Sequence, residues 1–127
     1  MLEGNSIYHN RMDGISVKSG GDPTVSGNTV TDGRGKGVFV HDKGRGVFEG
    51  NDIVRNSGTG VTVASGGDPV LRRNRVTENG SHGICVDRAI GLMEENVGSL
   101  SQMPLLRHVF SHTFLAHCPF AFFRRIQ

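Results

Sequence analysis

Carboxylates and histidines are the residues of this chain that could carry a reaction. Hydrolysis of a glycosidic bond generally needs two carboxyl groups roughly 5–9.5 Å apart, and Asp32 and Asp42 are the acids to consider for such a pair. His41 precedes Asp42 directly, as a base beside the acid that orients it would. Because adjacent residues of a strand point to opposite faces, we expect these two side chains to be separated. The sequence therefore predicts no catalytic residues.

Other aspartates and histidines have some features of metal ligands. Asp22 and Asp68 each stand in a Gly-Gly-Asp-Pro bend, where capping the turn is the ordinary role of an aspartate. His108 and His112 are four residues apart and could share one face of a helix, with His117 following. Because no acidic third ligand lies near these histidines, we expect no metal and no cofactor.

The segments that must position these residues repeat along the chain. A Gly-aliphatic-x-Val motif occurs four times at a constant spacing of 23 residues, beginning at Gly14, Gly37, Gly60 and Gly83. A column of asparagines keeps the same spacing, namely Asn5, Asn28, Asn51 and Asn74. A constant period of this length indicates a repeat architecture before any other fold.

Each repeat has the pattern of short strands joined by tight bends. Apolar β-branched residues alternate with others, as Val61 and Val63 do, which is typical of half-buried strands. No helical period is sustained in residues 1–88. We therefore predict an all-β, right-handed parallel β-helix, a solenoid of about four coils of 23 residues. Residues 23 apart should stack about 4.8 Å from one another.

The stacked columns have separate predicted roles. The asparagine column should stand at a bend and form a ladder of amide hydrogen bonds. In the column of Asp32 no second acid is adjacent, because Arg55 lies one coil on. The column of Asp42 also lacks an adjacent acid, since Ser19 and Ser65 flank it. These columns therefore do not predict a glycosidase pair.

Composition limits the kinds of partner and compartment. The net charge is +2 and both signs are interspersed, which argues against a nucleic-acid surface. The basic cluster around Arg73 is predicted to be a solvated edge facing Glu49 one repeat away. With two cysteines, Cys85 and Cys118, there is no disulfide framework, so we expect two free thiols. No secretory signal opens the chain, and an intracellular location is favoured.

Residues 1–96 form the predicted repeat domain, a fragment of a longer solenoid, with Met93–Asn96 as a degraded further coil. Residues 97–127 are a non-repeat tail. Apolar residues at helix-like spacing allow an amphipathic capping helix over 101–118, and the alternative is unrelated sequence without native packing. The apolar segment 109–123 is shorter than the roughly 20 residues of a membrane span, so we expect no transmembrane segment.

One strand face is predicted to be exposed and available for a ligand. Its candidate residues alternate with or flank the core positions, namely Ser16, Lys18, Phe39, His41, Thr62 and Cys85. Phe39 is the large apolar residue among them. An aromatic side chain on a flat face could stack on a sugar ring or anchor a peptide.

The repeat resembles the parallel β-helices of carbohydrate-binding and sugar-hydrolase domains, because both carry Gly-Asn-x-aliphatic and Gly-aliphatic-x-Val units. The segment from Gly37 to Ile53 is most similar to the β-helix of certain F-box only proteins, which are substrate receptors of cullin-type ubiquitin ligases. This resemblance implies a β-helix interaction module that recognises a protein substrate, without catalytic activity of its own. The alternative is a carbohydrate-binding or polysaccharide-degrading fragment. Oligomeric state is not indicated.

Overall fold

The structure, a computed structural model, describes residues 1–98, 107–110, 113–114 and 116–117. These residues form short β strands joined by bends, and none of them is helical. We number the strands β1 to β17 in chain order. Up to residue 98, every third strand returns to the same sheet, so the chain winds as a coil with three sides.

Three parallel sheets of five strands make up the three sides. The first contains, in spatial order, β1 (Leu2–Glu3), β4 (Thr24–Ser26), β7 (Arg45–Glu49), β10 (Asp68–Arg72) and β13 (Leu92–Glu94). The second contains β14 (Val97–Gly98), β11 (Arg75–Thr77), β8 (Asp52–Val54), β5 (Thr29–Thr31) and β2 (Ser6–Tyr8). The third contains β17 (Ala116–His117), β12 (Ile84–Asp87), β9 (Val61–Ala64), β6 (Val38–Val40) and β3 (Ile15–Val17).

The register confirms the predicted period. Val40 pairs with Val17 on one side and with Val63 on the other, each 23 residues away. The first sheet has the same offset, since Phe48 pairs with Val25 and Leu71. The all-β solenoid of about four coils is therefore the fold of this chain.

The interior consists of aliphatic columns contributed by all three sheets. Its largest fully buried side chains are Phe48, Ile53, Leu71 and Ile84, together with Val25, Val30, Val38, Val40, Val61, Val63 and Val76. Because both the inward-pointing residues and the period are constant, each coil buries the same positions against its neighbours. This packing makes the outer surface of the sheets a stiff support for exposed side chains.

The asparagine column is a buried hydrogen-bond ladder, as predicted. The Asn28 amide donates to Asn51 Oδ1 at 3.1 Å, and the Asn51 amide donates to Asn74 Oδ1 at 2.9 Å. Asn74 continues the ladder to Asn96 at 3.0 Å. Each of these oxygens also accepts the backbone N–H of the residue one coil earlier, as Asn51 Oδ1 accepts from Asn28 at 2.9 Å. The bends are thus held by side chains that satisfy buried backbone groups.

The glycines that precede β3, β6 and β9 in the third sheet are required by close approach. A Cβ on Gly37 would lie 2.5 Å from Ile53 Cγ2 and 2.7 Å from the carbonyl oxygen of Gly60. A Cβ on Gly60 would lie 2.4 Å from Val76 Cγ1. Close approach, and not positive φ, therefore requires glycine at these positions.

The predicted degraded coil is present. Met93 in β13 pairs with Leu71 in β10, and it is buried as its column requires. Asn96 is also buried and donates to the Leu71 carbonyl at 2.9 Å. The repeat geometry therefore extends to the end of β14.

The predicted capping helix is wrong where the tail is described. Strands β15 (Arg107–Phe110) and β16 (Thr113–Phe114) form an antiparallel pair, and β17 joins the third sheet beside β12. The apolar residues of this segment are mainly β-branched or aromatic, which suits strands. The outer edge of β12 also offers backbone groups that a strand can pair. The rest of 101–118 lies outside the described residues, and the boundary at residue 97 stays a prediction.

The prediction of two free thiols is wrong for Cys85. It is disulfide-bonded, and no described cysteine is free. The pairing of β17 with β12 places Ala116 opposite Cys85, so tail backbone lies next to this cysteine. Cys118 is outside the described residues. Within the described part of the chain, no helix has the length and hydropathy needed to span a bilayer.

Candidate functional site

The site is built on the tight turn that follows β6. Gly44 N–H donates to the His41 carbonyl at 2.9 Å, and the two residues between them have positive φ, 48° at Asp42 and 64° at Lys43. Positive φ at both central positions is the mark of a type I′ turn. The neighbouring coils have the same turn, closed from Gly21 to Lys18 and from Gly67 to Ala64. The repeat therefore fixes the backbone of His41 and Asp42.

This turn brings His41 and Asp42 together, so the predicted separation of their side chains is wrong. His41 Nδ1 lies 3.0 Å from Asp42 Oδ2. The alternation rule fails here because β6 ends at Val40, and both residues belong to the turn. His41 Nε2 lies 3.2 Å from Ser16 Oγ on the neighbouring strand. A serine, a histidine and an aspartate thus form one continuous chain of contacts.

The Phe39 ring packs against the imidazole of His41. The two rings are stacked, with centroids 4.0 Å apart and an interplanar angle of 17°. Lys36 Nζ lies over the Phe39 ring, 4.5 Å from its centroid. His41 and Lys36 thus both pack against the ring of Phe39, which is half-buried. We call Ser16, Lys36, Phe39, His41 and Asp42 the Phe39 cluster.

The structure brings together three of the six predicted face residues, Ser16, Phe39 and His41. Ser16 is exposed, and Phe39 and His41 are half-buried. Lys18 is exposed and occupies, one coil earlier, the position equivalent to His41. These four residues lie near one another on the outer face of β3 and β6 or in the turns that follow.

The exposure predicted for Thr62 and Cys85 is wrong. Thr62 is 8 % exposed and Cys85 is 0 % exposed. Thr62 is in register between Phe39 and Cys85, so the side chains of both neighbouring strands flank it. Cys85 is engaged in a disulfide. Neither residue is available as a surface for a ligand.

Two members of the cluster, Lys36 and Asp42, were absent from the predicted face. Asp42 could have been found from its column. Ser19, Asp42 and Ser65 occupy the same position in three equivalent turns, and each is followed by a glycine within two residues. Lys36 has no such signal. It stands before β6, where the strand pattern does not indicate the direction of its side chain.

Arg55, in the bend that follows β8 of the second sheet, forms ion pairs with acids one coil away on both sides. Arg55 Nε lies 3.3 Å from Asp32 and Nη1 lies 3.9 Å from Glu78. Hydrogen bonds from Thr31 and then Arg55 lower the pKa of Asp32 below its ordinary value. Because Asp32 faces a cation instead of an acid, as its column predicts, this surface does not provide a glycosidase pair.

The arginines near the asparagine ladder are also paired, as predicted for a solvated edge. Arg73 contacts Glu49, and it lies 3.0 Å from Glu95. The hydrogen bonds that Arg73 donates to Glu49 and Glu95 raise the pKa of Arg73 further above its ordinary value. Arg72 pairs with Glu94 at 2.8 Å. These side chains serve the fold and leave no unpaired basic cluster there.

The described residues do not form a metal site. Among the side chains that the structure describes, no group of three or more His, Cys, Asp or Glu residues could hold a metal ion. His112 lies outside the described residues, as do the side chains of His108 and His117.

Comparison with known proteins identifies the repeat. The family model described as the right handed beta helix region matches residues 1–97. No curated protein and no solved structure matches the chain. The matched residues include all of the Phe39 cluster, and the description agrees with the handedness predicted from the crossover rule.

Proposed function

Since the chain belongs to the right-handed beta helix family, we propose that it is an interaction module that binds an acidic peptide segment of a protein partner through the Phe39 cluster and Lys18. The observation that carries this proposal is an imbalance of charge around Phe39. Lys18, Lys36 and Lys43 form no ion pair with a described acidic residue. Five arginines elsewhere on the solenoid are paired with acids, Arg55 and Arg73 among them.

Charge complementarity determines the chemistry of the partner. Asp42 adjoins Lys43 in the turn, and its carboxylate already contacts His41. Asp13 Oδ1 accepts the backbone N–H of Lys36 at 2.9 Å. The lysine ammonium groups therefore remain available to carboxylates of a partner, and the half-buried Phe39 ring offers an apolar contact. Such a centre with a charged rim is the usual arrangement of a peptide hot spot.

A rigid support favours binding at this surface. The cluster lies on β3, β6 and the type I′ turn, whose backbone is fixed by the hydrogen bonds of the coil. A preorganised surface loses little conformational entropy when a ligand binds. The resemblance of residues 37–53 to F-box proteins supports a role in recognising substrates of a ubiquitin ligase, and this is part of the proposal.

Carbohydrate binding has weaker support at the same surface. A sugar ring stacks on a free aromatic face, whereas His41 stacks on the Phe39 ring and Lys36 Nζ lies over it. A polysaccharide would have to compete with these two side chains for the ring. We therefore place the protein partner first and keep carbohydrate as an outcome of the test.

The test is binding of the whole chain to an array of immobilised peptides. Acidic peptides that each contain one aromatic residue are compared with matched neutral and basic peptides, and with a panel of polysaccharides. We expect selective binding of the acidic set, and Phe39→Ala should weaken it by roughly thirtyfold, as loss of a hot-spot aromatic does. Lys36→Glu should also weaken it, whereas Arg34→Glu supplies the matched charge reversal outside the cluster and should leave binding nearly unchanged.

Three results would count against the proposal. Binding that does not depend on peptide charge, or that is unchanged by Phe39→Ala, would contradict the proposed acidic-peptide surface. Retention by a polysaccharide alone would replace it with the carbohydrate alternative. For the ligase role, affinity capture of the natural protein from cells should recover a cullin adaptor, and its consistent absence would remove that part only.

A further inference from the structure

The contacts of His41 define the positions of its protons. The Asp42 carboxylate is an acceptor, so the 3.0 Å contact requires that His41 Nδ1 carry the hydrogen. In the neutral imidazole, Nε2 is then the acceptor. Its neighbour at 3.2 Å is the hydroxyl of Ser16, which donates to it. This is the arrangement in which a histidine removes a proton from a serine while an aspartate orients the ring.

Surrounding contacts fix the imidazole and leave the serine accessible. His41 is stacked on Phe39, its side chain is 17 % exposed, and its backbone N–H donates to the Val17 carbonyl at 2.9 Å. Ser16 is exposed on the outer face of β3. A base that is held in place beside an accessible hydroxyl meets the geometric requirement for general-base activation of a nucleophile.

We propose that Ser16 is a nucleophile that hydrolyses carboxylic esters, with His41 as its general base and Asp42 as the positioning residue. The proposal goes beyond peptide binding and does not require a peptide partner. A second serine–histidine contact differs from this one because it lacks an aspartate. Ser81 Oγ lies 3.1 Å from His82 Nδ1, but no carboxylate among the described residues contacts that ring.

The reaction has two balanced steps. In the first, Ser16 Oγ bonds to the ester carbonyl carbon and its proton moves to His41 Nε2. The carbon–alkoxy bond breaks, and the leaving alcohol takes that proton, so Ser16 is left as an acyl ester. In the second, water attacks the acyl carbon as His41 accepts its proton. The Ser16–acyl bond then breaks, the proton returns to Ser16 Oγ, and a carboxylic acid is released.

The test uses diisopropyl fluorophosphate with the whole chain. Attack by an activated serine forms an Oγ–P bond and releases fluoride, and peptide mass spectrometry locates the adduct. We expect modification of Ser16 at least about a hundredfold faster than that of Ser19, as positioned general-base catalysis commonly provides. Ser19 is the internal control because it is exposed, lies three residues away and has no described histidine contact.

Variants separate the roles of the three residues. His41→Ala should reduce the rate of Ser16 modification to that of Ser19. The turn should tolerate this change because Ala64 occupies the position equivalent to His41 in the turn one coil later. Asp42→Asn should slow modification at least about tenfold, and Asp42→Glu should recover most of the rate. Asparagine accepts positive φ, so the turn should be retained. Circular dichroism checks that each variant is folded.

Turnover provides the second readout. The chain should hydrolyse p-nitrophenyl acetate, and Ser16→Ala should abolish the activity above that of free imidazole, whereas Ser19→Ala should not change it. Equal modification of Ser16 and Ser19, or an unchanged rate in Ser16→Ala, would overturn the proposal. Peptide binding by the wild-type chain is measured in parallel. Ester hydrolysis without binding of acidic peptides would remove the proposed function alone, and binding of acidic peptides without ester hydrolysis would remove this proposal alone.

Discussion

Replacing Asn51 by alanine should destabilise the solenoid much more than the same change at Asn5, the exposed end of the ladder. The Asn51 side chain is 3 % exposed and makes four hydrogen bonds. Its oxygen accepts from the backbone and side chain of Asn28, and its amide donates to Val25 and Asn74. Each such bond contributes about 0.5–1.5 kcal/mol net, so their loss should cost about 2–6 kcal/mol.

Asn5→Ala is the matched control because it changes the same residue type at the exposed end of the same column. The Asn5 side chain makes one ladder bond, a 3.0 Å donation to Asn28 Oδ1. Its loss should cost about 0.5–1.5 kcal/mol. Urea denaturation followed by circular dichroism, with linear extrapolation, measures both free energies of unfolding. If Asn51→Ala lost no more stability than Asn5→Ala, the reasoning about a buried ladder would be refuted.

Three further predictions follow from single contacts. Gly37→Ala should destabilise the fold by about 1–3 kcal/mol in urea denaturation because its Cβ would overlap Ile53 and the Gly60 carbonyl, and wild-type stability would contradict this overlap. Arg55→Ala should raise the pKa of Asp32 toward its ordinary value in a carboxyl NMR titration, since Arg55 donates to that carboxylate. The pKa of Asp32 is lower in the native protein than in the unfolded chain. The ion pair with Arg55 therefore stabilises the fold above the unfolded-state pKa, and this stabilisation is lost as the pH falls through the native pKa. An Asp32 pKa that is unchanged in Arg55→Ala would contradict the pairing. Phe39→Leu should slow modification of Ser16 by diisopropyl fluorophosphate at least about threefold because His41 would lose its stacking partner, and an unchanged rate would show that Phe39 does not position the ring.

The period was sufficient to predict the coil because the same physical requirements recur in each repeat. Val17, Val40 and Val63 share one buried position, and Asn28, Asn51 and Asn74 share one bend. Agreement between columns makes each assignment stronger than any single strand pattern. The alternation rule then indicated correctly that Ser16 and Phe39 point outward from the core.

The failed predictions arose where alternation was used beyond its range. It was extended past Val40 to His41 and Asp42, although positive φ in the turn redirects side chains. Alternation also identifies the face on which Thr62 lies but not what covers that face. In the tail, the spacing of Val109 and Phe110 allowed a helix, whereas their strand preference and the edge of β12 favour sheet.

Methyl NMR of Val40 tests the stacking of the coils most directly. With valine methyl groups labelled, the Val40 methyls should show nuclear Overhauser contacts to those of both Val17 and Val63, since the three residues are in register on neighbouring strands. Contacts to both neighbours across the 23-residue spacing would confirm the coil from which the Phe39 cluster is built. Absence of either contact in a folded, assigned sample would contradict it.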